Sequence, residues 1–259
     1  MHSGSITLFI EGKSPLHSDH PFNKLAYVLL AGLAAYGAPG AWIPDAVLLG
    51  LNLVLAGTNG ILSAVWKITW RMLLPLALLM IPIHGFLYPG NHTPLVSYHN
   101  ILFGLEGLVF SGTKLLQLAT VFTASLLFVF TTHPADFITA LTQAGWPPFM
   151  AYLMGSPLLM LPAMRTRIGV IQAAQRARGL DVEGGPLKRI RSLVPLVVPF
   201  VLGALIEIEQ RAIALEIRGF NASGAKTSLR MVHDSKAQRT TRWLMVLASI
   251  LLLLSRLAV

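Results

Sequence analysis

The chain has 259 residues, 54% of them hydrophobic and 12% charged, with a mean hydropathy of +0.65. An ordinary soluble domain carries about 25% charged residues, so the composition excludes one and indicates an integral membrane protein. The absence of cysteine excludes disulfides and thiolate metal sites. The net charge of +9 is gathered in one place: between Met164 and Arg242 there are 14 Lys+Arg against 6 Asp+Glu. A basic segment between apolar runs is placed in the cytoplasm by the positive-inside rule. It carries no aromatic-interleaved basic motif, so nucleic acid is not an expected partner.

The apolar runs have helix length and lack the ten-residue alternation of a membrane barrel, which predicts an all-α fold. The first twenty residues, with Glu11, Asp19 and three histidines, lack the apolar core of a cleaved signal peptide, and the first span is expected to act as its own targeting signal. Run one covers about Leu25 to Ala38, run two Trp42 to Val65 and run three Met72 to Leu87, each near the ~20 residues that cross a bilayer. Lys67 and Arg71 are expected between runs two and three. No Lys or Arg occurs from Met72 to Thr113, so the turn-rich loop from Asn91 to Asn100 is expected outside. Run four extends from Leu105 to Thr132, with Glu106 and Lys114 near the interface or facing other helices. The last run is Trp243 to Val259. Five spans result, with the N-terminus inside and the C-terminus outside.

Between run four and the last run, a short helix is predicted from Pro134 to the turn at Gly145-Trp146-Pro147-Pro148, with Phe137, Leu141 and Ala144 on one face. The Pro-broken stretch 149–162 reads as membrane-surface or re-entrant. A helix from Ala163 to Arg178 follows, with Met164, Ile168 and Ile171 on one side. A second, from about Pro195 to Arg218, has an apolar stripe of Leu205, Ile208, Ala212 and Leu215 and an i, i+4 pair of Glu207 with Arg211. Its charges argue against a span and for an amphipathic helix along the membrane. The expected divisions are a four-span membrane domain over 1–132, a cytoplasmic or interfacial domain with two long helices over 133–241 and a final transmembrane helix over 242–259. The packing residues of these two helices are expected to be Ile168, Ile171, Leu205, Ile208, Ala212 and Leu215, the stripe on the second helix being covered by the other helix or by a partner.

Both helices end in Arg-Gly: Ala177-Arg178-Gly179 and Ile217-Arg218-Gly219. Glycine suits a left-handed helix cap and a cation suits the carbonyl end of a helix. Two such ends in one cytoplasmic block also suit a partner, because a guanidinium at a rigid helix tip pairs bidentately with a carboxylate in a groove. Weaker patterns are Gly224 to Ser228, which lacks the glycine spacing of a phosphate loop, the sequon at Asn221-Ala222-Ser223, and His84, His92 and His99 around the outer turn, whose irregular spacing reads as polar loop residues rather than metal ligands.

These features resemble the transmembrane T component of energy-coupling factor (ECF) transporters, prokaryotic importers of vitamins and transition metals. The resemblance covers nearly the whole chain. It rests on Ser14-Pro15-Leu16-His17, His20-Pro21 through Lys24-Leu25, Glu106-Gly107-Leu108, Thr131-Thr132 through Pro134, and above all Ala174-Gln175-Arg176-Ala177-Arg178-Gly179. The second motif departs from the family pattern at Ile217, where alanine is usual, while Arg218, Gly219 and Phe220 match. The resemblance implies a non-catalytic coupling subunit in the cytoplasmic (inner) membrane. Two ABC ATPases, identical or different, would take the two tips, Ala177, Arg178 and Gly179 at one and Arg218 and Gly219 at the other. A small membrane capture (S) subunit would choose the substrate. ATP would be bound by the ATPases, and no cofactor by this chain. Two other readings stand beside it: a conventional ABC permease subunit, which expects one coupling segment per chain, and a membrane-embedded enzyme using the His84–His99 loop or Glu106, for which no nucleophile, base and orienter fall together.

Overall fold

The computed structural model describes residues 10, 12, 14–37, 42–98, 101–180, 186–220, 222 and 231–257. Asn221, the phosphate-loop-like segment 224–228, His99 and Asn100 lie outside them. The described chain is all-α apart from one hairpin. Its elements are α1 (Pro15–Ser18), α2 (Pro21–Gly37), α3 (Ile43–Thr58), α4 (Leu62–Leu87), β1 (Pro94–Tyr98), β2 (Ile101–Gly104), α5 (Leu105–Thr131), α6 (Pro134–Gln143), α7 (Pro148–Ala177), α8 (Pro186–Ile217) and α9 (Lys236–Leu257). They form two compact units, one of Met1–Trp146 with Arg230–Val259 and one of Pro147–Leu229. The short helix α6 thus belongs with the first unit and not with α7 and α8. The reason is visible in Phe137, whose ring meets Phe22 and Phe128 edge-on at 6.2 and 6.0 Å.

In the first unit α5 packs against α2, α3 and α4, and α9 lies against α2. The face of α5 turned inward carries Gly107, Ser111, Ala119, Thr120, Thr123 and Ala124, all buried. Small residues let helix backbones approach closely where lipid supplies no hydrophobic drive to association. Gly107 is the extreme case: a Cβ built there would lie 2.0 Å from the His84 carbonyl oxygen of α4. Asn91 closes the same end, its amide donating to the Gly85 carbonyl at 2.8 Å while its Oδ1 accepts from the Gly107 N–H at 2.9 Å. Glu106 sits beside it, accepting from the backbone N–H and hydroxyl of Thr93. Lys114 donates to Gln117 Oε1 at 3.0 Å under the rings of Tyr36 and Phe110.

Further along, a buried Asn52 ties three helices. Its Nδ2 donates to the Thr120 carbonyl and Thr123 Oγ1, and its Oδ1 accepts from the Tyr27 hydroxyl at 2.5 Å. Replacing Asn52 by Leu leaves Tyr27 and Thr123 short of partners in a dry seam. The expected loss is about 1–2 kcal/mol, read as a lower midpoint for unfolding in mixed detergent micelles. At the other end Lys24, itself buried, donates to the Thr131 carbonyl at 2.8 Å. Two separate stretches of the family resemblance, around Lys24 and Thr131, are therefore one contact.

Several expected boundaries move. Runs two and three are divided not at Lys67 and Arg71 but at Asn59-Gly60-Ile61, where Gly60 takes φ +69°. The continuous α4 then carries Lys67 and Arg71 on an exposed face near its start, beside the stacked Trp66 and Trp70 rings, a composition that suits a membrane interface. The stretch 149–162 is no separate segment, because α7 runs unbroken through Pro157 and Pro162. Likewise α8 begins at Pro186 and passes Pro195 and Pro199. The segment between α4 and α5 contains an antiparallel hairpin, β1 with β2, that apolar periodicity did not reveal.

Among the described residues three helical stretches are long and apolar enough to cross a membrane: Leu62–Leu87, Leu105–Thr131 and Leu193–Ile217. The third includes the stretch read from sequence as amphipathic. Its apolar half outweighs Glu207 and Arg211, because most of Leu193–Ile206 is apolar around the whole helix circumference. The helices α2 and α3, at 17 and 16 residues, are shorter, roughly 25 Å each at 1.5 Å per residue.

Candidate functional site

The second unit is built from α7 and α8. Three contacts fix their relation: Arg167 to Glu207, the Gln175 side-chain amide to the Pro195 carbonyl at 3.3 Å, and Tyr152 to Phe220 with ring centroids 5.4 Å apart. Rising numbers on α7 meet falling numbers on α8, so the pair is antiparallel and the Arg-Gly ends lie at opposite ends of it. Residue 178 of α7 falls opposite about residue 194 of α8, so the two ends are separated by roughly 36 Å along α8 at 1.5 Å per residue.

Both ends are closed in the same way. At the end of α7, Arg178 is the last half-helical residue and Gly179 takes φ +88°. The Gly179 N–H donates to the Arg176 carbonyl at 2.9 Å and the Leu180 N–H to the Gln175 carbonyl at 3.0 Å. At the end of α8, Gly219 takes φ +69°, its N–H donates to the Glu216 carbonyl at 2.9 Å, and the Phe220 N–H donates to the Leu215 carbonyl at 2.9 Å. Each is a complete Schellman motif. Glycine is needed at both because a side chain there would hold a strained left-handed backbone. The capping bonds at both ends are made by backbone N–H groups alone, so neither arginine side chain is required for the cap. Both Arg178 and Arg218 are exposed, as are Ala177 and Ile217, the last at 81%.

The packing residues are arranged differently from the sequence reading. Ile168 and Ile171 of α7 line a shallow groove of about 170 Å³ with Leu193, Leu196, Val197 and Phe200, from the first half of α8. The stripe Leu205, Ile208 and Ala212 is not covered by α7: Leu205 is 56% and Ile208 57% exposed, Ala212 is exposed, and Leu215 is half-buried. In the second half of α8 the face turned to α7 is the charged one, because Arg167 reaches Glu207 at 2.6 Å while Arg211 holds the same carboxylate at 2.9 Å. The i, i+4 pair was legible from spacing. The cross-helix partner Arg167 was missed, although its spacing carried a signal: Arg167 precedes Arg178, and Glu207 precedes Arg218, by the same 11 residues.

The sequence profile of the cobalt transport protein family, CbiQ, matches residues 12–229, a range that includes both Arg-Gly ends and both long helices. The chain belongs to the CbiQ family. Its relatives include the energy-coupling factor transporter transmembrane protein EcfT of Thermanaerovibrio acidaminovorans, 27% identical over 243 residues that cover 88% of each chain. The EcfT protein of Bacillus subtilis is 26% identical over 271 residues, covering 98% of this chain and 99% of the relative. That of Exiguobacterium sibiricum is 35% identical over 107 residues, 40% of each chain. The CbiQ family match and the EcfT relatives, two of them matched over 88% and 99% of their length, accord with the ECF resemblance in the sequence and with an all-α, polytopic membrane fold.

Proposed function

We propose that this CbiQ-family chain is the coupling subunit of an ECF importer, joining two cytoplasmic ABC ATPases to a small membrane subunit that captures a vitamin or a transition-metal ion. The observation that carries the proposal is the pair of exposed arginines on identically capped helix ends roughly 36 Å apart. One rigid cation per end suits two separate grooves, as two ATPases offer, and α7 and α8 supply the connection between them. The chain brings no catalytic group and no cofactor to this scheme; ATP is held and hydrolysed by the ATPases. The uncovered apolar face at Leu205, Ile208 and Ala212 gives the capture subunit a surface to meet. In this proposal the chain lies in the cytoplasmic (inner) membrane, and the charge distribution supports an orientation with the N-terminus and the segment 165–242 inside and the C-terminus outside.

The test is affinity purification of the tagged chain in mild detergent. The expected result is recovery of two ATPase subunits and one small hydrophobic protein; a chain that purifies alone from cells expressing the whole system overturns the proposal. In the same preparation, Ile208→Asp is expected to lower recovery of the small membrane protein while the ATPases remain. The introduced carboxylate would be buried without a partner at an apolar contact, at a cost of several kcal/mol. Unchanged recovery would mean that this face meets lipid headgroups or water. Orientation is checked by labelling, since the chain has no native cysteine: His92→Cys, at an exposed position next to Asn91, is expected to react with an impermeant maleimide in intact cells.

A further inference from the structure

The contact between Arg167 and Glu207 stands at a particular place. Each residue precedes its own Arg-Gly end by 11 residues, so the bridge lies roughly 16 Å from either tip at 1.5 Å per residue. In the antiparallel register set by Gln175 with Pro195 and Tyr152 with Phe220, it is the midpoint between the tips. The prolines of both helices, 157 and 162 in α7 and 195 and 199 in α8, all lie on the far side of the bridge from the tip. The segments from bridge to tip are proline-free, and therefore stiff, whereas the segments behind the bridge contain the weak points of the backbone ladder. Gly203 lies beside the bridge, an added Cβ there being at ordinary van der Waals distance, 3.5 Å, from the Arg167 guanidinium.

We propose that Glu207 is a positioning residue: clamped between Arg167 and Arg211, it forms the pivot that holds two equal lever arms, so that displacement of one tip is conveyed to the other. This rests on the coupling function proposed above. Without the pivot, α7 and α8 touch mainly through the shallow apolar groove and the contacts near their ends, which permit sliding. With it, a directional, doubly bonded carboxylate fixes the register at the centre.

The experiment uses the cysteine-free chain with Ala174→Cys and Ala214→Cys, two exposed positions each four residues before a tip arginine. Spin labels at these sites report the lever-to-lever distance by pulsed electron resonance, in the isolated chain and in the complex with ADP or a non-hydrolysable ATP analogue. Glu207→Gln is expected to raise the population of off-register conformers about fivefold, the scale expected for losing a partly screened ion-pair network. It is also expected to abolish the nucleotide-dependent distance change while ATPase co-purification is retained. The triple exchange Arg167→Glu, Glu207→Arg and Arg211→Glu, which inverts every charge of the clamp, is expected to restore both, an outcome that a purely local packing role does not predict. A Glu207→Gln chain with the native distance distribution and nucleotide response overturns the pivot alone. Failure of the unsubstituted labelled chain to bind ATPases, where the chain without cysteines binds them, is a labelling artefact answered by moving the labels to Ala173 and Ile213. Failure of both overturns the coupling function and the pivot with it.

Discussion

Arg178→Glu combined with Arg218→Glu is expected to abolish ATPase co-purification and substrate uptake, with the chain still folded in the membrane. The caps survive the change because Gly179, Leu180, Gly219 and Phe220 close both helix ends through backbone N–H groups. A carboxylate at a helix C-terminus costs only about 0.3–1 kcal/mol per end. At a desolvated interface the cost is larger, because reversal removes a cation and sets like charges against each other, about 2–5 kcal/mol for each buried pair. The magnitudes separate the two roles: capping alone leaves assembly unaffected, whereas groove binding loses several orders of magnitude in affinity when both ends are reversed. Each single reversal is expected to weaken association by an intermediate amount. The second end carries a further difference, since Ile217 is a bulky, exposed neighbour; Ile217→Ala is expected to leave folding unchanged and alter only the affinity of that end. Co-purification and uptake in membranes containing equal amounts of each variant provide the measurement, and full activity of the double variant would reduce both arginines to surface residues.

Gly107→Val is expected to be the most damaging single apolar substitution in the membrane unit. The added Cβ meets the His84 carbonyl oxygen at 2.0 Å, and the obstacle is backbone, where the last turn of α4 meets the first turn of α5, so no rotamer change relieves it. The α4–α5 pair has to separate, which breaks the Asn91 bonds to Gly85 and Gly107 and loosens the contact of Phe103 against Gly85. A cost of about 3 kcal/mol or more follows from overpacking with lost hydrogen bonds. The expected observation is low recovery of folded protein from membranes and a reduced unfolding midpoint in detergent. Gly112→Val is the control, because nothing lies within 4 Å of a Cβ built there; equal damage from both would assign the effect to helix or lipid properties and not to the crossing.

The features legible in the chain were those whose cause is local. Long apolar runs and a low share of charged residues needed no knowledge of packing to give the membrane class, and the Arg-Gly ends announced their caps because a left-handed backbone is a property of one residue. The i, i+4 pair of Glu207 and Arg211 was legible for the same reason, since its geometry lies within a single helix turn. What local pattern did not supply was the meaning of charges and prolines inside long helices. Lys67 and Arg71 looked like the end of a span, yet α4 continues through them because they face outward near an interface. Pro157, Pro162, Pro195 and Pro199 looked like breaks, yet α7 and α8 continue, since a helix losing one backbone bond can be held by the contacts around it. The orientation of α8 was decided by a partner 40 positions earlier in the chain: Arg167 draws the charged face of α8 inward and leaves Leu205, Ile208 and Ala212 exposed. In the membrane unit, Gly107 against His84 and Lys24 against Thr131 are likewise contacts between remote segments. Periodicity states which faces a helix has, but the choice of which face meets which neighbour is made by long-range pairing, and that choice created both the antiparallel placement of the two arginine tips and the bridge midway between them.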